Sequence, residues 1–186
     1  MRNVWLASGS PRRKTLLEWA GYTPRVHPPH LDESRVHGED PIDYARRLAR
    51  EKVQTAPANV VALAADTVVH RGETVFDKPA DREQARQTLS ELSGREHHVT
   101  TAVAVRTGAR IDVFHSTTEV QFRSLGRAEI DAYLATGEAD DKAGAYGIQG
   151  RAAVFVSEVR GSWTNVVGLP VEACIPVLDS HLSVLE

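Results

Sequence analysis

Residues 4–21, VWLASGSPRRKTLLEWAG, constrain the fold more than any other stretch of the chain. Val4-Trp5-Leu6-Ala7 is a short apolar, β-prone run and predicts a buried strand. Ser8-Gly9-Ser10 interrupts it. Ser10 is a good helix N-cap, and Pro11 suits the first helical position, where a missing N–H costs nothing. Leu16, Leu17 and Ala20 then share one helical face, and Gly21 can end the helix in a left-handed conformation. The product is strand, small-residue turn, helix.

The charge on this turn is unusual. Arg12, Arg13 and Lys14 occupy the first turn of a helix whose free N–H groups already carry partial positive charge. Each cation there is unfavourable by about 0.3–1 kcal/mol, and an anion held by the N–H groups and the guanidinium forks would reverse the sign. The alternative is that the arginines fan out into water. The turn is not GxxxxGK[ST], which excludes an ordinary P-loop.

Asn59 to His70, NVVALAADTVVH, is the second informative stretch. Val60 to Ala65 is continuously apolar, as expected of a strand covered on both faces, and Asp66 is read as its end. A carboxylate at the tip of a buried strand is paired, holds a cation or has a raised pKa. Open α/β sheets place ligands at such strand ends, whereas an Asp capping Val68 or Val69 is the structural alternative.

The chain of 186 residues, 41% hydrophobic and 25% charged, is long enough for one well-filled core. Its formal charge of −3 gives no general attraction to nucleic acid or anionic membrane. One cysteine, Cys174, excludes an internal disulfide framework and a CxxC zinc site, and its apolar surroundings predict a buried small hydrophobe. With no long apolar stretch and no repeat or linker, the expectation is a soluble cytoplasmic protein with one domain over 1–186.

Elsewhere, Pro24 to Glu39 reads as a loop, in which Arg25 to His27 can pair as a strand and Asp32-Glu33 reads as solvated surface. Asp40-Pro41 starts a helix with Ile42, Ala45, Leu48, Ala49 and Val53 inward. Glu51-Lys52 near its end reads as a surface charge pair. Thr74 to Phe76 returns as a hairpin strand, and Lys78 beyond it is either an exposed charge or a phosphate contact. Asp81 begins a helix ending at Gly94, His97 to Val105 and Ile111 to Phe122 form an antiparallel pair, and Arg127 to Thr136 is a short helix. His97 and His98 point to opposite faces, against a shared metal. Asp140 to Gly150, DDKAGAYGIQG, is either a flexible loop or one that lets backbone approach a ligand. Ala152 to Val156 reads as a strand, with Trp163 to Val167 as a candidate return strand. A last helix follows Pro170, and Pro176 is expected to kink or divide it.

In combination, SGSPRR, Glu33, Glu51-Lys52, Ala65-Asp66-Thr67, Lys78-Pro79, Ser93-Gly94, Lys142-Ala143-Gly144 with Tyr146 to Gly150, and Val167 to Pro170 resemble the Maf family of nucleotide pyrophosphatases. The match runs in order over nearly the whole chain. The resemblance implies an α/β fold with an elongated, mostly antiparallel sheet flanked by helices, two lobes and a deep cleft, as in Maf and ITPase-like proteins. It also implies hydrolysis of a nucleoside triphosphate to monophosphate and pyrophosphate with a divalent cation, Mg or Mn. DKAGAYGIQG looks like the branch acting on dTTP and UTP, and Arg12, Thr67 and Gln149 are the positions associated with that choice. A glutamine amide offers the donor and acceptor that match the N3–H and O4 edge of uracil or thymine.

The roles that the resemblance implies are these. Ser8, Ser10, Arg12 and Arg13 hold the triphosphate, while Lys52 and Lys78 neutralise phosphate and the leaving pyrophosphate. Asp66 accepts the proton from water, and Glu33 helps bind the cation or orient the water, so Asp66 and Glu33 are the candidate metal ligands. Thr67, Lys142 and Gln149 complete the substrate contacts. A homodimer would fit the family, and no nucleic acid or membrane partner is expected. The competing reading is a nucleotide-binding regulator of septum formation with little turnover; a pyrophosphatase for other non-canonical nucleotides is a nearer variant.

Overall fold

The computed structural model describes residues 2–184. These residues form two compact units. The first takes the chain up to Asp66, Thr101–Ser116 and everything from Gly168 onward; the second takes Thr67–Thr100 and Thr117–Val167. The strands are β1 (Asn3–Leu6), β2 (Thr23–Val26), β3 (Val61–Arg71), β4 (Thr74–Phe76), β5 (Glu96–Thr107), β6 (Arg110–Phe122) and β7 (Val156–Arg160). They make one mixed sheet in the order β2-β1-β3-β5-β6-β7, with β4 paired to β3. The helices are α1 (Pro11–Trp19), α2 (Pro41–Gln54), α3 (Arg82–Leu92), α4 (Arg127–Leu134), α5 (Trp163–Val167) and α6 (Val171–Leu182).

In the first unit β1 lies between two parallel neighbours, with Leu6 opposite Val26 of β2 and Trp5 opposite Ala62 of β3. Val61 to Ala65 are all buried, as the unbroken apolar run requires. The α1 helix starts where the sequence places it: the Ser10 hydroxyl accepts from the Arg13 N–H, and Pro11 fills the first turn. The Asp40 carboxylate caps α2 by accepting from Ile42 and Asp43 N–H, and Ala45, Leu48, Ala49 and Val53 pack inward. Cys174 and Leu178 of α6 are buried. His181, also buried, is pinned at both ring nitrogens, by Thr107 Oγ1 at 2.9 Å and Asp112 Oδ2 at 2.8 Å.

In the second unit β4 pairs antiparallel with β3, Val69 opposite Phe76, and β7 pairs antiparallel with β6. Ala85, Leu89 and Leu92 of α3 and Ile130, Tyr133 and Leu134 of α4 face inward. Five rings fill the interior: His97 and Tyr146 each lie 4.9 Å from Phe122, and Phe155 lies 5.1 Å from Tyr133. Edge-to-face contacts of this kind add to what the buried area itself contributes.

Four local expectations are corrected. Asp66 does not end its strand, because β-prone Thr67 to His70 carry β3 on to Arg71, where β4 pairs with it. Ala152 to Phe155 belong to a 3-10 turn, Arg151–Phe155, and the strand begins only at Val156. Trp163 to Val167 is helical: the Ser162 hydroxyl accepts the Asn165 N–H at 3.0 Å and the Asn165 amide donates to the Val99 carbonyl at 2.8 Å, overriding the β propensity. Helix α6 runs unbroken from Val171 to Leu182 with the exposed Pro176 inside it, so the proline does not divide it.

Candidate active site

Lys52 is the residue that sequence reading places least well. On amphipathic spacing it is a surface charge, yet it is 6% exposed, and its Glu51 neighbour turns away to Arg47. The Lys52 ammonium donates to Asp66 Oδ1 at 2.7 Å and meets Glu33 Oε1 at 2.9 Å. One cation from the last turns of α2 therefore gathers a buried carboxylate from β3 and an exposed one from the loop before α2. A lysine so buried requires such partners.

Arg13 of α1 joins the same group. Its Nε donates to the Gly168 carbonyl at 2.9 Å and its Nη1 to the Ser8 hydroxyl at 3.1 Å, and Ser8 Oγ also accepts the Ser10 N–H at 3.2 Å. The Arg13 charge acts on Asp66. Burial raises the Asp66 carboxyl above the ordinary carboxylate value; Lys52 and Arg13 oppose that rise, and Glu33 reinforces it. Withdrawal from water lowers the Arg13 guanidinium, with Asp66 working against it. The first unit thus brings Ser8, Ser10, Arg13, Glu33, Lys52 and Asp66 together around the amino end of α1, with Arg12 beside Arg13. Chemically this is a helix N-terminus suited to anions, with a carboxylate of raised basicity close by.

The remaining sequence candidates, Thr67, Lys78, Lys142 and Gln149, belong to the second unit. Lys78 and Gln149 are exposed. Lys142 donates to the Glu138 carbonyl at 2.7 Å and pairs with Asp141 at 2.5 Å. Its loop is sharply folded: Gly144 has φ 69° and Ala145 follows with φ 57°, a left-handed pair that a non-glycine residue adopts only under strong packing constraint. Tyr146 anchors the loop by a 2.9 Å hydrogen bond to His97 in the buried ring cluster.

Burial lowers the His97 pKa from 6.5 to about 3, so its imidazole stays neutral in the folded protein. The unfolded chain binds the extra proton between those values, so stability falls as pH drops from 6.5 toward 3. The loss is about 1.4 kcal/mol per pH unit in the middle of that window. Urea titrations of wild type and His97→Gln at pH 7 and pH 4.5 should show the larger decline in wild type; parallel declines would refute the assignment.

Asp66 and Glu33 each turn a carboxylate oxygen to the Lys52 ammonium, and carboxylates are the hard oxygen donors that a divalent cation takes. By donor chemistry these two residues fit such an ion, although Lys52 and Arg13 already offset their charge. A separate group, Glu96, His98 and Glu119 of the second unit, has ligand atoms within 4.8 Å of one another. His97 takes no part in it, consistent with the opposite-face reading. Arg160 already binds Glu119 at 2.5 Å and also binds Glu96, so an ion there would compete with a guanidinium.

The Gly168 carbonyl is the contact that side-chain reasoning missed, since a main-chain acceptor leaves no residue-type signal. Its only trace was the Val167 to Pro170 segment of the family pattern.

A phosphate-suited helix end beside a buried carboxylate and lysine, carried on a mixed α/β sheet, defines a class of protein acting on phosphorylated ligands. The chain belongs to the Maf family: the model described as Maf-like protein matches residues 3–181. It is 49% identical over 177 residues to the dTTP/UTP pyrophosphatase of Chromobacterium violaceum, covering 90% of this chain and 89% of that one. The protein of the same name from Anaeromyxobacter dehalogenans strain 2CP-1 is 51% identical over 170 residues, covering 89% and 87%. That from Sphingopyxis alaskensis is 50% identical over 180 residues, covering 94% of each.

Proposed function

We propose that this protein hydrolyses dTTP and UTP between the α and β phosphates, giving the nucleoside monophosphate and pyrophosphate. The observation that carries the reading is Lys52 joining Asp66 and Glu33 beside Arg13 at the amino end of α1. The names borne by relatives about 50% identical support the substrate choice.

Phosphoryl chemistry of this kind needs neutralised charge and a positioned nucleophile more than covalent catalysis. Arg12 and Arg13, with the Ser8 and Ser10 hydroxyls and the free N–H groups of α1, hold the phosphates. Asp66, its basicity raised by burial, takes the proton from the attacking water, and Lys52 fixes its orientation. Glu33 and Asp66 would hold the divalent cation, which when bound neutralises phosphate charge. Lys78 neutralises the departing pyrophosphate, Lys142 and Thr67 contact the nucleotide, and Gln149 reads the pyrimidine edge by donating to O4 and accepting from N3–H.

The test is a panel of natural and modified triphosphates with Mg²⁺ or Mn²⁺, products separated by anion exchange. The expected products are dTMP and UMP with pyrophosphate. Release of the diphosphate and inorganic phosphate, or no turnover with either metal, would overturn the proposal.

A further inference from the structure

We infer that Glu138 is a positioning residue for base discrimination, acting through the loop that carries Gln149; this rests on the dTTP/UTP pyrophosphatase reading above.

Glu138 grips that loop at both ends. At the start, its carbonyl accepts the Lys142 ammonium at 2.7 Å. At the end, its carboxylate Oε2 accepts the Arg151 N–H at 2.9 Å. The peptide held there joins Gly150 to Arg151, one residue beyond Gln149. The fit over Gly150 is close: a Cβ there would run into the Glu138 carboxylate. The Lys142 stem in turn lies over Gly147, where a Cβ would be 2.9 Å from Cε and 3.1 Å from the Gln149 amide nitrogen. Glu138 is itself fixed from behind, its N–H donating to Thr136 Oγ1 at 3.2 Å.

Gln149 is exposed, whereas the backbone that follows it is held, the Gly150 N–H donating to the Gly147 carbonyl at 3.0 Å and the Arg151 N–H to Glu138. An amide that must present donor and acceptor in the correct order discriminates only if its main chain is held. The charged acceptor makes the hold on the Arg151 N–H stronger than a neutral one would be. Glu138 meets no reacting group in this account. It acts on specificity through Gln149.

The experiment measures kcat and KM for UTP, dTTP, CTP and dCTP in wild type, Glu138→Ala, Glu138→Gln, Gln149→Ala and the Glu138→Ala/Gln149→Ala double variant, with a thermal melt of each. Glu138→Ala should reduce the preference for uracil and thymine over cytosine at least tenfold, with KM for UTP and dTTP rising more than kcat falls. Glu138→Gln keeps an oxygen for the Arg151 N–H and should restore most of the preference. The double variant should discriminate no worse than Gln149→Ala. Should Glu138→Ala fail to fold, Arg151→Pro removes the same hydrogen bond from the donor side, at the first residue of a 3-10 turn where proline is tolerated. It should lose the preference equally. A folded Glu138→Ala or Arg151→Pro with wild-type preference, or a double variant whose losses multiply, overturns the inference. Absence of turnover in wild type overturns the function reading instead, and is seen before any variant is compared.

Discussion

Replacing Asp66 by Asn should lower kcat for dTTP by roughly 10²–10⁴, the range that a positioned general base supplies, while leaving nucleotide affinity nearly unchanged. The substitution preserves shape while removing the negative charge and the ability to take a proton, and Arg12, Arg13 and the N–H groups of α1 still hold the phosphates. Lys52 keeps a carboxylate partner in Glu33, so the group does not lose all compensation for its buried cation. Binding is measured with a triphosphate analogue that cannot be cleaved, and turnover by pyrophosphate release. In wild type, activity depends on the ionised carboxylate, and burial raises the pKa of Asp66. The acid limb of kcat/KM should accordingly lie above the ordinary carboxylate value, with activity falling as pH drops through it. A variant turning over within threefold of wild type would remove Asp66 from the base role.

Much of the fold was legible because strong local signals agreed with the tertiary outcome. Ser10-Pro11, Asp40-Pro41 and Asp81 each start a helix where capping chemistry requires, and the apolar run to Ala65 is a fully buried strand. The failures occur where distant partners overrule local preference. Asn165 turns β-prone Trp163 to Val167 into a helix through Val99, 66 positions away, and no window of neighbouring residues contains that contact. Asp66 looked like a strand terminus because a carboxylate interrupts apolar residues. It is tolerated within β3 because Lys52 arrives from α2 to meet it.

The site divides the same way. The arginines and serines of the first turn were visible as an electrostatic anomaly, and Arg13 resolves it by bonding to Ser8 and Gly168. Lys52 and Glu33 were not visible from spacing. Alone, each reads as solvated charge, and only the family pattern singled them out. Burial of Lys52 is the physical fact that joins them, and burial of a charge has no signature in residue type.

That burial makes Lys52→Met the substitution with the largest expected effect on stability. Methionine keeps the length and apolar stem of the side chain, so packing is retained and the charge alone is lost. Asp66 is then left buried without its nearest cation, and breaking a buried pair from one side costs about 3–5 kcal/mol. For a chain of this length that corresponds to a fall in Tm of roughly 10 °C, at about 2–4 °C per kcal/mol. The pH dependence follows in sign. Without Lys52 the folded-state pKa of Asp66 rises further, so the fold is favoured when the carboxyl is protonated and loses that support as pH rises through the raised value. Lys52→Met should therefore melt further below wild type at pH 8 than at pH 5. Adding Asp66→Asn removes the stranded charge, and the double variant should recover most of the loss at pH 8. The half-exposed Glu33, 43% accessible at its side chain, remains hydrated in both and contributes little to the difference. Melts of wild type, the two single variants and the double variant at both pH values measure the coupling. Lys52→Met and the double variant melting together at pH 8 would show that the ammonium was not compensating Asp66, and the proposed orientation of the base by Lys52 would go with it.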